Sequence, residues 1–299
     1  MDTQSICSAF TKLFRGRGDV WGHDDGFAVR DKITDQTWSD HLQGTTGIGI
    51  YPSVPTPNGP ICAWGCTDID VEDIEQARLL HRTLQAAGVV SWIERSRSKG
   101  YHVWIFSSSP VSAEAMRNMQ LVAHQVADLD PKEVNPKQVD VTESKIGNYV
   151  RLPYLGGLIE TPERRVIIDH ETLKPIPLES FLHLALKNAT SPDHIQELAG
   201  LYKKPVVKPI VNYTTGTHDI SDAMRKLSPL GYVIWRDGPL PGNDRSRTLV
   251  RLAYVCHDSN LTPQECRLVV VDADRRWGKY AEHPNGDNEI DKIIHRVYS

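Results

Sequence analysis

Two aspartates, Asp68 and Asp70, stand one residue apart in "CTDID", where an apolar run ends. On a strand, alternate side chains face the same way, so both carboxylates point to one side and Ile69 points to the other. Two like charges so placed repel each other, and a divalent cation removes that repulsion. Carboxylate oxygens suit the hard ions Mg²⁺ and Mn²⁺, which keep water or substrate phosphate among their ligands. The plainer role for such a pair is a solvated strand end. The following "ERSRSKGYHVW" shifts the balance: Arg95, Arg97 and Lys99 bring positive charge, and Ser96 and Ser98 bring hydroxyls. Gly100 lets backbone approach a ligand closely, and His102 opens the next strand with a ring that can donate to phosphate. With a third acidic residue these groups would make a two-metal nucleotidyl-transfer site.

The elements that must hold these residues are legible from periodicity. Residues 47–52 and 61–70 read as strands, and Asp73 can cap a helix over 74–87 that stops at Gly88. "VVSWIE" and "HVWIFS" read as two strands joined by the basic turn, with His102, Trp104 and Phe106 on one face and Val103 and Ile105 on the other. Ser112 begins a further helix, and "KEVNPKQVDV" and "GNYVRLPY" read as strands flanking a turn. This mixture predicts an α+β fold with helices packed on mixed or antiparallel sheets over residues 1–190. Periodicity fades after that, and the prolines and lysines of residues 191–215 read as a linker. Residues 216–299 carry four helical patterns, with Pro263 suited to a first turn, and predict a small all-α bundle.

Composition sets outer limits. With 299 residues, 39% hydrophobic and 24% charged, the chain can form one large domain or two. No run approaches the roughly 18 apolar residues a bilayer-spanning helix needs, so a cytoplasmic protein without a membrane partner is expected. Five cysteines are an odd, scattered set, and Cys62 and Cys66 read as structural thiols because no second Cys/His pair has zinc-ligand spacing. A net charge of −4 excludes a generally basic surface, but it leaves room for a local basic groove.

Taken in order, "LFRGRGDVWG", "HLQGTTGIGIYP", "CTDID", "ERSRSKGYHVWIFSSSPVSAEAMRNM", "EVNPKQ" and "GNYVRLPY" resemble the archaeo-eukaryotic primase superfamily of primase-polymerases, in its phage-borne and conflict-system branches. The likeness covers most of residues 10–160. It implies that Asp68 and Asp70 carry Mg²⁺ or Mn²⁺ with a nucleoside triphosphate, and that His102 contacts the triphosphate. The chain departs from the family's Ser-x-His pattern, since Gly100 stands two before His102, and Ser96 or Ser98 would supply the hydroxyl. The third acidic position falls on Glu133, with Asp140 as the alternative. Lys99 and Arg97 join the phosphate site, and Lys137, Gln138 and Arg151 become nucleotide or template contacts.

The C-terminal patterns "GNDRSRTLVRLAYVC" and "EIDKIIHRVYS" resemble the helical domain that follows the catalytic domain in phage and plasmid primases. That likeness makes Arg245 and Arg247 candidates for initiation, with solvent-exposed charge as their plainer role. A basic groove at Arg15 and Arg17, with Trp21 either stacking on bases or buried in the core, would guide single-stranded DNA. The resemblance implies a DNA-directed primase-polymerase, encoded by a phage or mobile element and acting in the host cytoplasm, with a replicative helicase as a separate partner. A gap-filling polymerase and a non-catalytic initiator are the alternatives.

Overall fold

A computed structural model describes residues 2–131, 133–203, 219–239, 244–281 and 286–298. The chain divides into two units, Met1–Lys204 and Pro205–Ser299. The first begins with α1 (Thr3–Leu13), β1 (Trp21–His23), β2 (Ala28–Val29), α2 (Asp35–Gln43) and β3 (Ile48–Ile50). It continues through β4 (Ile61–Ile69), α3 (Glu75–Ala86), β5 (Ser91–Arg95), β6 (Tyr101–Ser112) and α4 (Ala113–Ala127). Strands β7 (Glu133–Asn135), β8 (Val150–Arg151) and β9 (Val166–Ile168), then helices α5 (Leu178–Lys187) and α6 (Pro192–Ala199), complete it.

The strands form two sheets, ordered β2-β1-β3-β8 and β7-β4-β6-β5-β9. The named strand pairs are all antiparallel. The fold is therefore α+β, with helices flanking antiparallel sheets. The long strands β4 and β6 are the spine, because their apolar runs are buried on both faces. One face meets α4: Thr67 hydrogen-bonds Gln120 and His124, and a Cβ at Gly65 would lie 2.4 Å from the Gln120 amide. The other face is aromatic. Trp64 stands opposite Phe106, and Trp104 opposite Trp92. The ring of Phe14 sits edge-on to Trp104 and Phe106, 5.2 Å from each. Alternation thus places His102 on the aromatic face, as the sequence predicts.

Several local signals act as expected. Asp73 accepts the Glu75 amide at the start of α3, and Ser112 caps α4. Cys62 and Cys66 are buried free thiols, and burial pushes the Cys62 pKa up to about 12. Two expectations are corrected. The "QVDV" stretch is not a strand: its positions lie in bends and irregular backbone, so Asp140 sits on a loop and not on a pleated surface. The start of the expected linker is helix α6, capped by Ser191 and opened by Pro192, with Ile195 fully buried in the first unit's core. Its apolar face is too short to stand out from the surrounding polar sequence. The part of the expected linker at 204–215 lies outside the described residues.

The second unit holds α7 (Ile220–Lys226), α8 (Pro229–Asp237), α9 (Arg245–Asp258), α10 (Pro263–Trp277) and α11 (Gly286–Tyr298). Its core joins Leu249, Leu252 and Cys256 of α9 with Cys266, Val269 and Val270 of α10 and Ile290, Ile293 and Ile294 of α11. These spacings are helical stripes, which is why the bundle is readable from sequence. Among the described residues, no helix is long and apolar enough to cross a membrane.

Candidate active site

The register of the larger sheet builds the site. Asp68 on β4 stands opposite Glu133 on β7 and opposite His102 on β6, and His102 in turn stands opposite Glu94 on β5. Directly paired residues of antiparallel strands share a face. Glu133, Asp68, His102 and Glu94 therefore form one row across four strands, at the end of the aromatic face. The row opens into a cleft of about 430 Å³, whose wall also includes Asp70, Arg97, Ser98, Lys99, Arg151 and Arg165.

One cationic ring stands among the three carboxylates of this row. The Glu94 side chain is 2% exposed and accepts hydrogen bonds from His102 Nδ1 at 2.8 Å and Trp104 Nε1 at 2.6 Å. His102 Nε2 lies 3.7 Å from Asp68 Oδ1. Burial works against a charged ring, but the Glu94 and Asp68 carboxylates outweigh it and raise the His102 pKa to about 10. The histidine is thus a cation at neutral pH. Asp68 is 39% exposed toward the cleft, and Asp70 is exposed just past the end of β4.

The basic turn is held by its own backbone. Ser96 is buried and its hydroxyl donates to the Lys99 carbonyl at 2.6 Å, so it does not supply a free hydroxyl donor as the sequence suggested. Ser98 and Lys99 are exposed in the cleft wall. Gly100 has φ +83°, and a Cβ there would lie 2.3 Å from the Ile69 carbonyl oxygen and 3.2 Å from the Asp70 Cα. The turn crosses so close to Asp70 that the missing Ser-x-His serine has a steric reason. Gly100→Ala is expected to cost about 2 kcal/mol or more, read as a lowered urea midpoint at unchanged slope.

A second charged cluster, which sequence reasoning missed, lies on the cleft wall. The Asp24 carboxylate accepts from Arg165 Nη2 at 2.6 and 2.7 Å and lies 3.3 Å from Arg151 and 3.5 Å from Arg97. Burial alone would raise the Asp24 pKa, and the three guanidiniums outweigh it and hold the pKa below the ordinary value. One carboxylate facing three arginines leaves the wall cationic. Nothing local to "GHDDG" marks Asp24, because Arg97, Arg151 and Arg165 come from distant segments.

The remaining predicted residues fall in different places. Lys137 reaches back to Glu133 at 2.9 Å. Gln138 is paired through its side chain with Asn148 and does not line the cleft. Asp140 is exposed, pairs with Lys145 and also lies off the cleft. Arg95 donates to the Glu163 and Leu173 carbonyls, a role in holding loops. Arg151 donates to the Asp24 carbonyl at the cleft wall.

Arg15 and Arg17 do not form the expected groove. Arg15 is half-buried and donates to the Lys12 carbonyl. The Arg17 side chain is 1% exposed, with bonds to Asp19 at 2.8 Å, the Thr142 carbonyl at 2.7 Å and the Glu143 carbonyl at 3.2 Å. Removing it would cut the bonds that tie this buried position to residues 142 and 143. Arg17→Met is therefore expected to lower stability by about 2 kcal/mol, by urea denaturation, with single-stranded DNA affinity unchanged by fluorescence anisotropy. Trp21 is half-buried and packs against the core.

In the second unit, Arg245 donates to the Trp277 and Gly278 carbonyls and so caps the end of α10. This engaged guanidinium is a structural cap and not a free phosphate contact. Arg247 is exposed on α9.

Comparisons with known proteins bear on the family of the chain. A family model described as the TOTE conflict system, Archaeo-Eukaryotic Primase domain, matches residues 28–198. No curated protein matches the chain. Among solved structures, the crystal structure of primase RepB' is similar at a TM-score of 0.31 and 12% identity, covering 100% of this chain and 95% of that one. The polymerase domain from Mycobacterium tuberculosis Ligase D in complex with DNA gives a TM-score of 0.32 and 13% identity, covering 67% of this chain and 91% of that one.

Proposed function

We propose, for a chain that belongs to the archaeo-eukaryotic primase domain family of TOTE conflict systems, that it is a nucleotidyltransferase that synthesises primers on single-stranded DNA and extends them. The observation that carries this reading is the row of Glu133, Asp68 and His102, in register across β7, β4 and β6 and open to the cleft.

The donor set fits Mg²⁺ or Mn²⁺. Asp68, Asp70 and Glu133 offer only oxygens, and Lys137 stands against Glu133 while His102 stands against Asp68, so the carboxylates are met by positive charge. Among the described residues, no three acidic, histidine or cysteine side chains converge tightly enough to hold an ion alone. Substrate phosphate and water would complete the shell, which is the usual Mg²⁺ arrangement. When bound, two such ions would lower the pKa of a 3′-hydroxyl and neutralise the departing pyrophosphate.

The chain's own groups then have distinct tasks. Asp68, Asp70 and Glu133 hold the cations; His102 presents Nε2–H to a phosphate oxygen without needing to exchange its proton. Lys99 and Arg97, with the Ser98 hydroxyl, line the mouth through which a triphosphate enters. Arg151 and Arg165, gathered with Arg97 around Asp24, make the cleft wall attractive to anions. Lys137 neutralises Glu133 in the absence of other cations, and Gln138 holds Asn148 in place. The partners are single-stranded DNA, ribo- or deoxynucleoside triphosphates and a replicative helicase, with Arg247 of the second unit as the remaining initiation candidate.

The test is synthesis on unprimed single-stranded DNA with Mg²⁺ or Mn²⁺ and labelled nucleotides. Short products that disappear in the Asp68→Ala/Asp70→Ala variant are expected. Extension confined to supplied primers would make the protein a gap-filling polymerase, and DNA binding without incorporation would make it a non-catalytic initiator.

A further inference from the structure

The buried acid behind the histidine has no role in the reading above. Glu94 lies on β5, next to the apolar Trp92 and Ile93, opposite His102. A buried carboxylate is costly unless its oxygens are bonded to donors. Two donors, His102 Nδ1 at 2.8 Å and Trp104 Nε1 at 2.6 Å, converge on one of its two oxygens, Oε2.

The chain of contacts runs one way. Trp104 is fully buried among the rings of Phe14 and Trp64, each 5.2 Å away, and Phe106, 6.3 Å away. The indole therefore cannot turn, and it fixes the Glu94 carboxylate. The carboxylate in turn fixes His102, whose ring also sits edge-on to Trp104 at 5.9 Å. A flipped ring would face Oε2 with carbon in place of Nδ1 and would leave the buried charge short of a donor. Only one ring orientation satisfies the acid, and it leaves Nε2 on the side of Asp68 and the cleft.

We propose that Glu94 is a positioning residue: by accepting from Nδ1 it locks the His102 ring with its Nε2–H aimed into the cleft, where a triphosphate oxygen is bound. This rests on the reading of the cleft as a nucleotide site. The signal in the sequence is a lone acid after the apolar Trp92 and Ile93, immediately before the basic turn. Its partner is invisible there, because it comes from the neighbouring strand.

The test separates positioning from folding and from activity. With ¹⁵N-labelled histidine, the parent should show a solvent-protected, downfield Nδ1–H resonance that His102→Asn removes. Glu94→Leu should remove it as well, and should weaken binding of α,β-imido-dATP with Mg²⁺, measured by calorimetry, by about 10-fold, the scale of a lost supporting acceptor behind a ligand-binding histidine. Glu94→Gln, which keeps one acceptor oxygen at the same reach, should retain the resonance and bind with intermediate affinity. If Glu94→Leu does not fold, the Glu94→Gln/His102→Asn cycle decides: the double variant should bind no more weakly than His102→Asn alone. Additive losses in that cycle, a resonance that survives Glu94→Leu, or analogue affinity within about 2-fold of the parent in a folded Glu94→Leu would overturn the proposal. A parent with the resonance and Glu94-dependent analogue binding, but with no incorporation, would leave the positioning intact and sink the polymerase reading.

Discussion

Asp68→Asn is expected to reduce nucleotide incorporation about 1,000-fold while leaving the fold intact. Asp68 is at the centre of the row, between Glu133 on one strand and His102 on the other. The amide keeps the shape but removes the charge that would hold a divalent cation against the triphosphate. Such a cation supplies several kcal/mol of transition-state stabilisation, and about 4 kcal/mol corresponds to about 1,000-fold at room temperature. The side chain is 39% exposed, so its neutralisation should not disturb packing. The change also relieves repulsion from Asp70, and the thermal midpoint should stay within a degree or two of the parent's. Single-turnover primer extension with saturating Mg²⁺ measures the first effect and calorimetric melting the second. Incorporation within about 10-fold of the parent would remove Asp68 from the chemistry.

Glu133→Gln should lower the same rate about 100-fold or more, whereas Asp140→Asn should change it less than about 2-fold. The two carboxylates compete for one role in the sequence, being close together and both near the "GNYVRLPY" segment. Their environments separate them. Glu133 begins β7 and is held opposite Asp68, so its carboxylate reaches the same space. Asp140 lies on a loop, exposed and neutralised by Lys145. The Lys137 partner of Glu133 does not argue against cation binding. Exposed ion pairs of this kind are worth at most about 1 kcal/mol, so the ammonium would be a weak competitor for a divalent ion at Glu133. Losing one carboxylate from the cation site removes charge stabilisation comparable to that of a single preorganised donor, about 100- to 1,000-fold. Surface changes such as Asp140→Asn usually shift stability by no more than about 0.5 kcal/mol. Steady-state extension on a primed template, with both variants beside the parent, measures the difference. Equal losses in the two, or a larger loss in Asp140→Asn, would move the third ligand off β7.

Local pattern carried much of this protein. Strand alternation alone placed His102, Trp104 and Phe106 on one face, and the "CTDID" and "ERSRSKGYH" segments marked the two elements that meet at the cleft. Helical stripes in α9, α10 and α11 announced the second unit. In each case the information is a repeat within one segment, set by backbone geometry with a period of 2 or 3.6 residues. Short elements with few apolar positions escaped. Helix α2 buries only Trp38, His41 and Leu42 and depends on its Thr34 capping box and the left-handed Gly44 at its end.

What the tertiary structure alone decided are lateral relations. Arg17 reads as an exposed basic loop residue, yet its carbonyl partners come from residues 142 and 143, and burial turns a presumed DNA contact into a brace. Asp24 gathers arginines from three separate segments, and Glu94 meets His102 only because β5 and β6 pair in one register. The proposed preference for Glu133 over Asp140 rests on a relation of the same kind, the register of β7 against β4. A strand's own sequence says which way its side chains alternate, but the residue across from each is set by where the chain returns. That return is governed by burial of the whole sheet, so the acid and base residues were visible in the sequence while their pairing came only with the fold.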